Sequence, residues 1–399
     1  MKEKIKILMI MPELYHGGAE KQFRNLIVNI SKQEFEIMVA IEHSYRSRNL
    51  QLEKQFIEEN KHVRFICLTH LSSTGNSFKR YCSSIMINAE VFPLLVSFKP
   101  DIVVAYTLLG LKVMALSKWL GVKCVFGERN SGVYPEKFYR NQGIFLKSVD
   151  VFIANSKSAQ RNLDSHYLNT LYIPNGIEKF SLIPEKELSE FSIIVPARIA
   201  RVKNQELLIK AISTITENLH VCFVGKVEDA EYKILLMQLA SDLKVDKQIE
   251  YIDYTNNIRE IYKNASLIIL PSISEGFSNV ILECYMYGRL CLVSDIEMNR
   301  DVGAPGQRYF NVNDVNDLRN KIIEIIQLPE EVKQIEIMQN HEYVTKNYSM
   351  DNMTMMYEDV FKKLGGGVTP DFLYLKYLIS INNFNFSSLK EIQTNFIAA

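Results

Sequence analysis

The sequence lacks several features that mark whole classes of protein. No stretch approaches the roughly 18 consecutive apolar residues that span a bilayer, and the apolar segment near the N-terminus is more typical of a first strand than of a signal peptide. The six cysteines show no CxxC spacing, which excludes a disulfide framework and a cysteine-rich zinc site and predicts reduced core thiols. With only 17 Gly and 11 Pro and 47% hydrophobic residues, the composition is that of a folded, soluble protein, expected in the cytoplasm.

An excess of charge of one sign is also absent. Lys+Arg and Asp+Glu both number 46, which argues against a nucleic-acid partner. The balance hides an asymmetry, because residues 1–185 carry 24 Lys+Arg against 17 Asp+Glu and residues 186–399 carry 22 against 29. A basic half beside an acidic half fits a lobe that faces anionic lipid or phosphate, and it also fits an ordinary solvated surface.

What is present is a double alternation of short apolar strands and helix-length segments. At about 150 residues per domain, 399 residues suggest two domains or three. The first series predicts strands at Ile5–Met11, Glu36–Ile41, Val63–Leu68, Asp101–Tyr106, Lys123–Phe126 and Asp150–Ala154, and it ends with the residues Leu171–Ile173. The second predicts strands at Phe191–Pro196, His220–Val224, Glu250–Ile252, Leu267–Leu270 and Leu290–Ser294. Such alternation predicts an α/β fold of two Rossmann-like, doubly wound domains that face a central cleft.

Domain bounds follow from the same pattern. A turn at Pro174-Asn175-Gly176 and a polar linker between Glu178 and Glu190 separate the two series. We predict an N-terminal domain over residues 1–180, a C-terminal domain over 181–345 and a helix over 346–364 that returns to the N-terminal domain. The aromatic-rich residues 365–399, which begin with a triglycine, have no place in either series, and no role is predicted for them.

The first candidate site is the loop Pro12–Glu20, which contains Gly17 and Gly18 just before a helical pattern. Two glycines at a helix N-terminus let backbone N–H groups approach an anion such as a diphosphate. The same pair also serves as a plain tight turn, and neither GxGxxG nor GxxxxGK[ST] is present.

The second candidate comprises Arg198 and Lys203, which follow the first strand of the second series. Two exposed loop cations at the carboxyl end of a strand suit a leaving diphosphate, although an isolated pair of this kind is often only a solvated surface pair.

The third candidate is the string SEGFSNVILECYMYG, which contains Glu275 and Glu283. Ser278 or Asn279 is suited to begin the helix between them. Glu283 then lies among apolar neighbours, where a carboxylate needs a partner such as the two hydroxyls of a ribose, and a random Glu pair is more often an exposed one.

Taken together in this order, the motifs resemble a GT-B-fold glycosyltransferase of glycosyltransferase family 4. The resemblance covers roughly residues 4–364 and rests on the GGAE loop, VFIANSKSAQRNL, IPNGIE, the Arg198/Lys203 pair, FVGKVED and PSISEGFSNVILECYMYGRLCLVSD. It implies a retaining, metal-independent hexosyltransferase that takes its sugar from a nucleotide sugar, here expected to be a UDP-sugar, and that needs no cofactor.

The resemblance also implies roles for individual residues. Arg198 and Lys203 hold the donor diphosphate, with Gly17 and Gly18 near it. Glu275 and the backbone of the next four residues hold the donor sugar, and Glu283 holds the ribose; those four are Gly276, Phe277, Ser278 and Asn279. Arg198, Lys203 and Glu275 are thereby the expected catalytic residues, and the N-terminal domain is the expected acceptor domain.

The chain departs from the family pattern in its N-terminal half. Many relatives have a histidine at the tip of a middle strand, where this chain has Tyr106; His16 and His43 are alternatives in other loops. Residues suited to the acceptor follow another strand, namely Glu128, Arg129 and Asn130. No DxD motif stands at a strand end, so no metal site is expected.

The segment Asn76–Phe98 joins Lys79 and Arg80 to a long apolar face. It predicts either a helix that lies on a membrane surface or a core helix. The leading interpretation of function is therefore transfer of a hexose or N-acetylhexosamine from a UDP-sugar to a lipid-linked or polysaccharide acceptor in bacterial-type surface glycan synthesis, at the inner face of the cell membrane. The alternatives are a catalytically idle nucleotide-sugar-binding subunit of another transferase and a sugar-nucleotide 2-epimerase.

Overall fold

The computed structural model describes residues 3–15, 18–42, 50–68, 77–129, 132, 134, 136–166, 169–182, 190–253, 255 and 257–366. By internal contacts the chain forms two units. Unit 1 comprises the described residues up to Asn155, those from Ala159 to Pro174 and those from Met355 onward. Unit 2 comprises Ser156–Ser158 and Asn175–Thr354. The division falls after Pro174 and after Thr354, whereas the sequence placed it after residues 180 and 345.

Unit 1 is built on seven parallel strands in the order β3-β2-β1-β4-β5-β6-β7. The strands are β1 (Ile5–Met11), β2 (Phe35–Ile41), β3 (Arg64–Cys67), β4 (Ile102–Ala105), β5 (Lys123–Glu128), β6 (Val151–Ala154) and β7 (Thr170–Tyr172). The helices between them are α1 (Gly18–Asn29), α2 (Leu50–Glu59), α3 (Ser77–Phe98), α4 (Leu108–Trp119), α5 (Glu136–Leu146) and α6 (Lys157–Asp164). The central strand β4 is buried along its length, as expected for a parallel sheet that is covered on both faces.

Unit 2 is built on six parallel strands in the order β10-β9-β8-β11-β12-β13. The strands are β8 (Phe191–Pro196), β9 (Leu219–Val224), β10 (Ile249–Ile252), β11 (Leu267–Leu270), β12 (Leu290–Ser294) and β13 (Arg308–Phe310). The helices are α7 (Gln205–Ile212), α8 (Ala230–Asp242), α9 (Ile258–Lys263), α10 (Asn279–Met286), α11 (Glu297–Arg300), α12 (Val315–Ile326) and α13 (Glu330–Asn347), followed by α14 (Met350–Gly365), which ends in unit 1.

Two cores lie on the two faces of the unit 2 sheet. Along β11, Leu267 and Ile269 belong to one apolar cluster, while Ile268 and Leu270 belong to the other. Successive strand residues point to opposite faces, so a strand buried on both sides must be apolar throughout. For this reason the short apolar runs in the sequence predicted the positions of the strands.

Two sequence predictions are corrected by the fold. Core thiols were predicted for all cysteines, and Cys124, Cys222, Cys284 and Cys291 are buried, but Cys67 is exposed at the end of β3. The strand β13 was not predicted, because its three residues are flanked by polar positions and form only an edge pairing with β12. Among the residues that the structure describes, no helix has the length and apolar character needed to cross a membrane.

Candidate functional site

In unit 2 the order in which the chain adds strands reverses at β8, and we call this point the change of direction of the sheet. The chain proceeds from β8 to β9 on one side and returns to β11 on the other, and all pairings are parallel. In open α/β sheets the loops that leave the carboxyl ends of two such strands diverge and create a binding site. Here those loops contain Arg198 and Lys203 after β8, and Glu275 after β11.

The structure brings Lys203 and Glu275 together. Lys203 Nζ donates to Glu275 Oε1 at 2.7 Å, and each side chain is only 13% exposed. The two loops are also joined through their backbones, since the Ile273 N–H donates to the Val202 carbonyl at 2.9 Å. Lys203 was expected to be an exposed loop cation; this expectation is wrong, because the ion pair is folded into the junction of the two loops.

Arg198 lies in the same loop and remains exposed. Its guanidinium pairs with Glu228, which lies in the loop after β9, and the side chains are 56% and 50% exposed. The backbone carbonyl of Arg198 accepts a hydrogen bond of 2.8 Å from the side-chain amide of Gln205, which is fully buried. At Gly225 a Cβ would lie 2.5 Å from the Ala197 carbonyl, so glycine lets the loops after β8 and β9 approach each other.

The string that follows β11 is anchored at the start of α10. Ser278 occupies the N-cap position of this helix and is buried, and Phe277 packs near Tyr348 with ring centroids 6.1 Å apart. Asn279 Oδ1 accepts a hydrogen bond of 2.8 Å from the side-chain amide of the buried Asn175. Gly276 lies in the loop, and Glu283 lies half-buried within α10.

Sequence reasoning missed three residues that hold this arrangement: Asn175, Gln205 and Glu228. Asn175 and Glu228 lie inside the quoted strings IPNGIE and FVGKVED, and Gln205 lies two residues after Lys203, so each stands close to a candidate in the sequence. Their contacts depend on the loops that surround the site, which the local pattern does not specify.

In unit 1 the direction of the sheet changes at β1, which lies between β2 and β4. The loop after β1 carries the glycine pair: Gly18 is the first residue of α1 and is exposed, whereas Gly17 lies outside the described residues, as do His16, His43 and Asn130. The structure therefore provides a position for only one of the two glycines.

Tyr106 and Arg129 form a packed group at the ends of β4 and β5. The Arg129 guanidinium lies 4.5 Å from the centre of the Tyr106 ring and donates to the Tyr357 hydroxyl. A Cβ on Gly127 would lie 1.9 Å from the Tyr106 ring, so the ring rests directly on that glycine. Burial lowers the pKa of Arg129, but Tyr357 and Tyr106 outweigh burial and raise it. Arg129 is therefore a permanent cation held by two tyrosines.

Glu128 is the last residue of β5 and is 2% exposed. Its Oε2 accepts a 2.6 Å hydrogen bond from the Tyr134 hydroxyl, where Tyr134 lies in the loop before α5. The strand end thus places Glu128 and Arg129 side by side in the chain but in different surroundings.

Glu42, which was not predicted, is the first residue after β2. It is 7% exposed, and its Oε1 accepts a 2.6 Å hydrogen bond from the hydroxyl of Thr107, the N-cap residue of α4. Burial raises the pKa of Glu42 to about 7, opposed by the hydrogen bonds from Thr107 and from the Gly110 N–H. The position at a strand end was visible in the sequence, but the burial that makes this glutamate unusual was not.

Within the described ranges, no three His, Cys, Asp or Glu side chains are grouped so that they could hold a metal ion. The metal independence of the reaction remains a prediction.

The match to a known protein family lies within unit 2. Residues 177–340 match the family model "Glycosyl transferases group 1". The chain is 26% identical over 211 residues to the O-antigen chain mannosyltransferase RfbU of Salmonella typhimurium, a match that covers 52% of this chain and 57% of RfbU. The chain thus spans little more than half the length of that relative.

A second relative is matched over more of its length. The chain is 21% identical over 294 residues to an N-acetylgalactosamine-N,N'-diacetylbacillosaminyl-diphospho-undecaprenol 4-alpha-N-acetylgalactosaminyltransferase of Campylobacter jejuni, covering 70% of this chain and 77% of the relative. Among solved structures, Anabaena Alr3699/HepE in complex with UDP and glucose superposes with a TM-score of 0.73 at 16% identity, covering 90% of this chain and all of that one.

These matches confirm two predictions. The chain has the two-domain α/β fold of the GT-B glycosyltransferases, and residues 177–340 match the glycosyltransferase group 1 model, in agreement with the predicted class of enzyme.

Proposed function

We propose that the chain is a retaining glycosyltransferase of family 4 that transfers a hexose or N-acetylhexosamine from a UDP-sugar to a lipid-linked or polysaccharide acceptor in surface glycan synthesis. The observation that carries this proposal is the junction of Lys203 and Glu275 at the change of direction in the unit 2 sheet, with Arg198 in the same loop. A pair of cations and a carboxylate at this position suits a diphosphate joined to a sugar.

The comparisons support a nucleotide-sugar donor and an acceptor of surface glycan synthesis. RfbU is an O-antigen mannosyltransferase, the Campylobacter relative acts on a diphospho-undecaprenol acceptor, and the Anabaena structure holds UDP and glucose. By analogy, Arg198 and Lys203 bind the diphosphate, and Glu275 binds the sugar with the backbone of residues 276–279. Glu283 binds the ribose. Unit 1 takes the acceptor, with Tyr106, Glu128, Arg129 and Asn130 as its side of the site.

The chemistry depends on the leaving group. As the bond between C1 and the phosphate oxygen breaks, C1 gains positive character and the diphosphate gains charge, which Arg198 and Lys203 stabilise. In a retaining reaction the acceptor hydroxyl forms its bond to C1 on the face from which the diphosphate leaves, and its proton passes to the departing phosphate oxygen. No protein nucleophile and no metal ion is required by this scheme.

In the structure both cations have carboxylate partners, Glu228 for Arg198 and Glu275 for Lys203. The exposed pair with Glu228 exchanges readily with a phosphate, because ion pairs in water contribute little. The enclosed pair with Glu275 keeps Lys203 extended into the loop junction, and the diphosphate then shares this cation with Glu275.

The membrane location is also part of the proposal. One side of α3 packs into the unit 1 core through Ile87, Val91 and Leu95. The opposite side exposes a stripe of apolar residues at helical spacing, which comprises Ile85, Met86, Phe92 and Val96. The alternatives of core helix and membrane-surface helix thus describe two faces of one helix. We infer weak, reversible association with an anionic leaflet on the cytoplasmic side.

The test is the release of nucleotide from a panel of UDP- and GDP-sugars by the purified chain, with and without polyprenyl-diphosphate-linked N-acetylhexosamine. We expect slow hydrolysis of one UDP-sugar and faster turnover with the lipid. Binding of UDP without any turnover would instead indicate the idle subunit. Conversion of a UDP-sugar into its 2-epimer without release of UDP would indicate the epimerase.

A further inference from the structure

Glu42 occupies a distinctive place in the unit 1 sheet. It directly follows β2, its backbone N–H donates to the carbonyl of Met11 at the end of β1, and its carboxylate reaches the hydroxyl of Thr107 after β4. The side chain therefore bridges the end of β1, from one neighbouring strand to the other. This is the point where the sheet changes direction, and ligands of open α/β sheets bind there.

Among the described residues, two neutral donors reach the Glu42 carboxyl. A hydroxyl from Thr107 and the backbone N–H of Gly110 both point to it. These donors favour the charged form, but burial penalises it more strongly, so this carboxyl takes up a proton more readily than one in water. A carboxyl that exchanges between its charged and its neutral form both accepts and donates hydrogen bonds, as sugar hydroxyls do.

A second buried glutamate of unit 1 shows what a purely structural role looks like. Glu53 on α2 is 2% exposed, and its carboxylate accepts a 3.2 Å hydrogen bond from the backbone N–H of Leu14. It ties the loop after β1 to a helix, whereas Glu42 lies at the strand ends themselves. Glu53 thus serves as a matched control of the same residue type and similar burial.

We propose that Glu42 is an acceptor-binding residue, which receives a hydroxyl group of the sugar that unit 1 takes as acceptor. The ligand class is a neutral polyhydroxyl compound, because a second anion such as a phosphate is repelled by the carboxylate form. Thr107 orients the carboxyl, and the N-terminus of α4 supports it. The inference rests on the proposed function, since it assigns a residue to the acceptor side of that reaction.

The experiment measures binding of methyl α-glycosides of glucose, galactose, mannose, N-acetylglucosamine and N-acetylgalactosamine by saturation-transfer NMR, without any donor. We expect the wild type to bind at least one of them. Glu42→Met, which keeps the length of the side chain and removes its polar atoms, should weaken that binding about tenfold or more, as the loss of one well-made hydrogen bond does. Glu53→Met should bind the glycoside as the wild type does, with a lower melting temperature.

A second measurement needs no destabilising variant. In protein labelled with ¹³C at the glutamate carboxyl carbon, the Glu42 resonance is assigned with Glu42→Gln, and the glycoside is then added to the wild type. We expect the Glu42 resonance to move and the Glu53 resonance to stay. An unmoved Glu42 resonance, a wild type that binds none of the five glycosides, or equal losses in the two Met variants would overturn the inference.

The outcome is independent of the donor reaction. Glycoside binding at Glu42 without turnover of any nucleotide sugar would contradict the proposed function and leave this site standing. Turnover of a UDP-sugar with no response of Glu42 to the glycosides would support the proposed function and overturn the assignment of Glu42.

Discussion

The two units of the chain share one topology and differ in the chemistry that they place on it. Both sheets begin with the same strand order, in which the third, second, first and fourth strands are neighbours. In unit 2 the strand ends at the change of direction carry Arg198 and Lys203, each paired with a carboxylate. In unit 1 the loop after β4 carries Thr107, and its hydroxyl is bonded to a buried glutamate, Glu42, at the end of the neighbouring strand β2.

This difference separates two properties of a doubly wound sheet. The strand order determines where a ligand binds, because it determines where two loops diverge. The loop residues determine what binds, since cations suit a diphosphate and a carboxyl that both accepts and donates hydrogen bonds suits sugar hydroxyls. The function of such a chain therefore has to be argued from the loops of each unit, and not from the fold that they share.

The largest effect is expected from the cations of unit 2. Arg198→Ala and Lys203→Ala should each lower kcat/KM by about 10²-fold or more, the usual loss when one preorganised electrostatic contact is removed. Steady-state hydrolysis and transfer assays measure this. The control is Lys210→Ala, which removes an exposed lysine on α7 that pairs with Glu206, and it should leave the rate unchanged.

The two variants should differ in stability. Arg198 is exposed, so its loss should leave the melting temperature almost unchanged. Lys203→Ala leaves the mostly enclosed Glu275 without its cation, and about 1–3 kcal/mol of unfolding free energy should be lost. Normal turnover in both variants would refute the assignment of these residues to the diphosphate.

The next effect concerns Glu42 and pH. Its pKa in the folded protein is about 7, against an ordinary value of 4.5 for a glutamate carboxyl. Because the folded pKa is the higher one, the contribution to stability is complete below the unfolded pKa and is lost as pH rises through the folded pKa. The difference corresponds to about 3 kcal/mol. Thermal unfolding of the wild type relative to Glu42→Gln should show this loss between pH 4.5 and 8, and parallel curves for the two proteins would contradict it.

A smaller effect is expected at the membrane. Lys79→Ser with Arg80→Ser should weaken sedimentation with anionic liposomes by about 1 kcal/mol per residue at low salt, without any change in donor hydrolysis. Phe92→Ser on the apolar stripe of α3 should also weaken it, whereas Met237→Ser on α8, 52% exposed in unit 2, should not. If at low salt the wild type prefers neutral vesicles or binds neither kind, the difference in charge between the two halves of the chain belongs to an ordinary solvated surface.

No effect at all is expected from a chelator. Activity should persist in excess EDTA, because cations of the protein itself neutralise the leaving diphosphate. Loss of activity in EDTA with recovery on addition of Mn²⁺ or Mg²⁺ would show that a metal ion takes part in the reaction.

The fold was largely predictable because parallel strands that are covered on both faces must be continuous apolar runs. The runs of β8, β11 and β12 were predicted with their observed bounds, while the three-residue edge strand β13 gave too short a pattern. The functional site of unit 2 was predictable only where a sequence motif contained its residues. Lys203 and Glu275 were expected at one ligand, and the structure places them in contact.

The rest depended on contacts between distant segments. Nothing in the string after β2 indicates that Glu42 is buried against Thr107, which lies 65 residues further along the chain. Likewise, Arg129 was predicted as an acceptor residue from its place after a strand, and only the structure shows the two tyrosines, Tyr106 and Tyr357, that surround it. Whether Arg129 also contacts the acceptor stays a prediction.

The central claim is that the anion site belongs to unit 2 and the hydroxyl site to unit 1. Its most direct test is a calorimetric titration of UDP into the wild type, Arg198→Ala and Glu42→Gln. The account predicts that Arg198→Ala weakens UDP binding about tenfold or more, because a charge-assisted contact to the diphosphate is lost, and that Glu42→Gln binds UDP as the wild type does. Equal UDP affinities for Arg198→Ala and the wild type, or a comparable loss in Glu42→Gln, would contradict it.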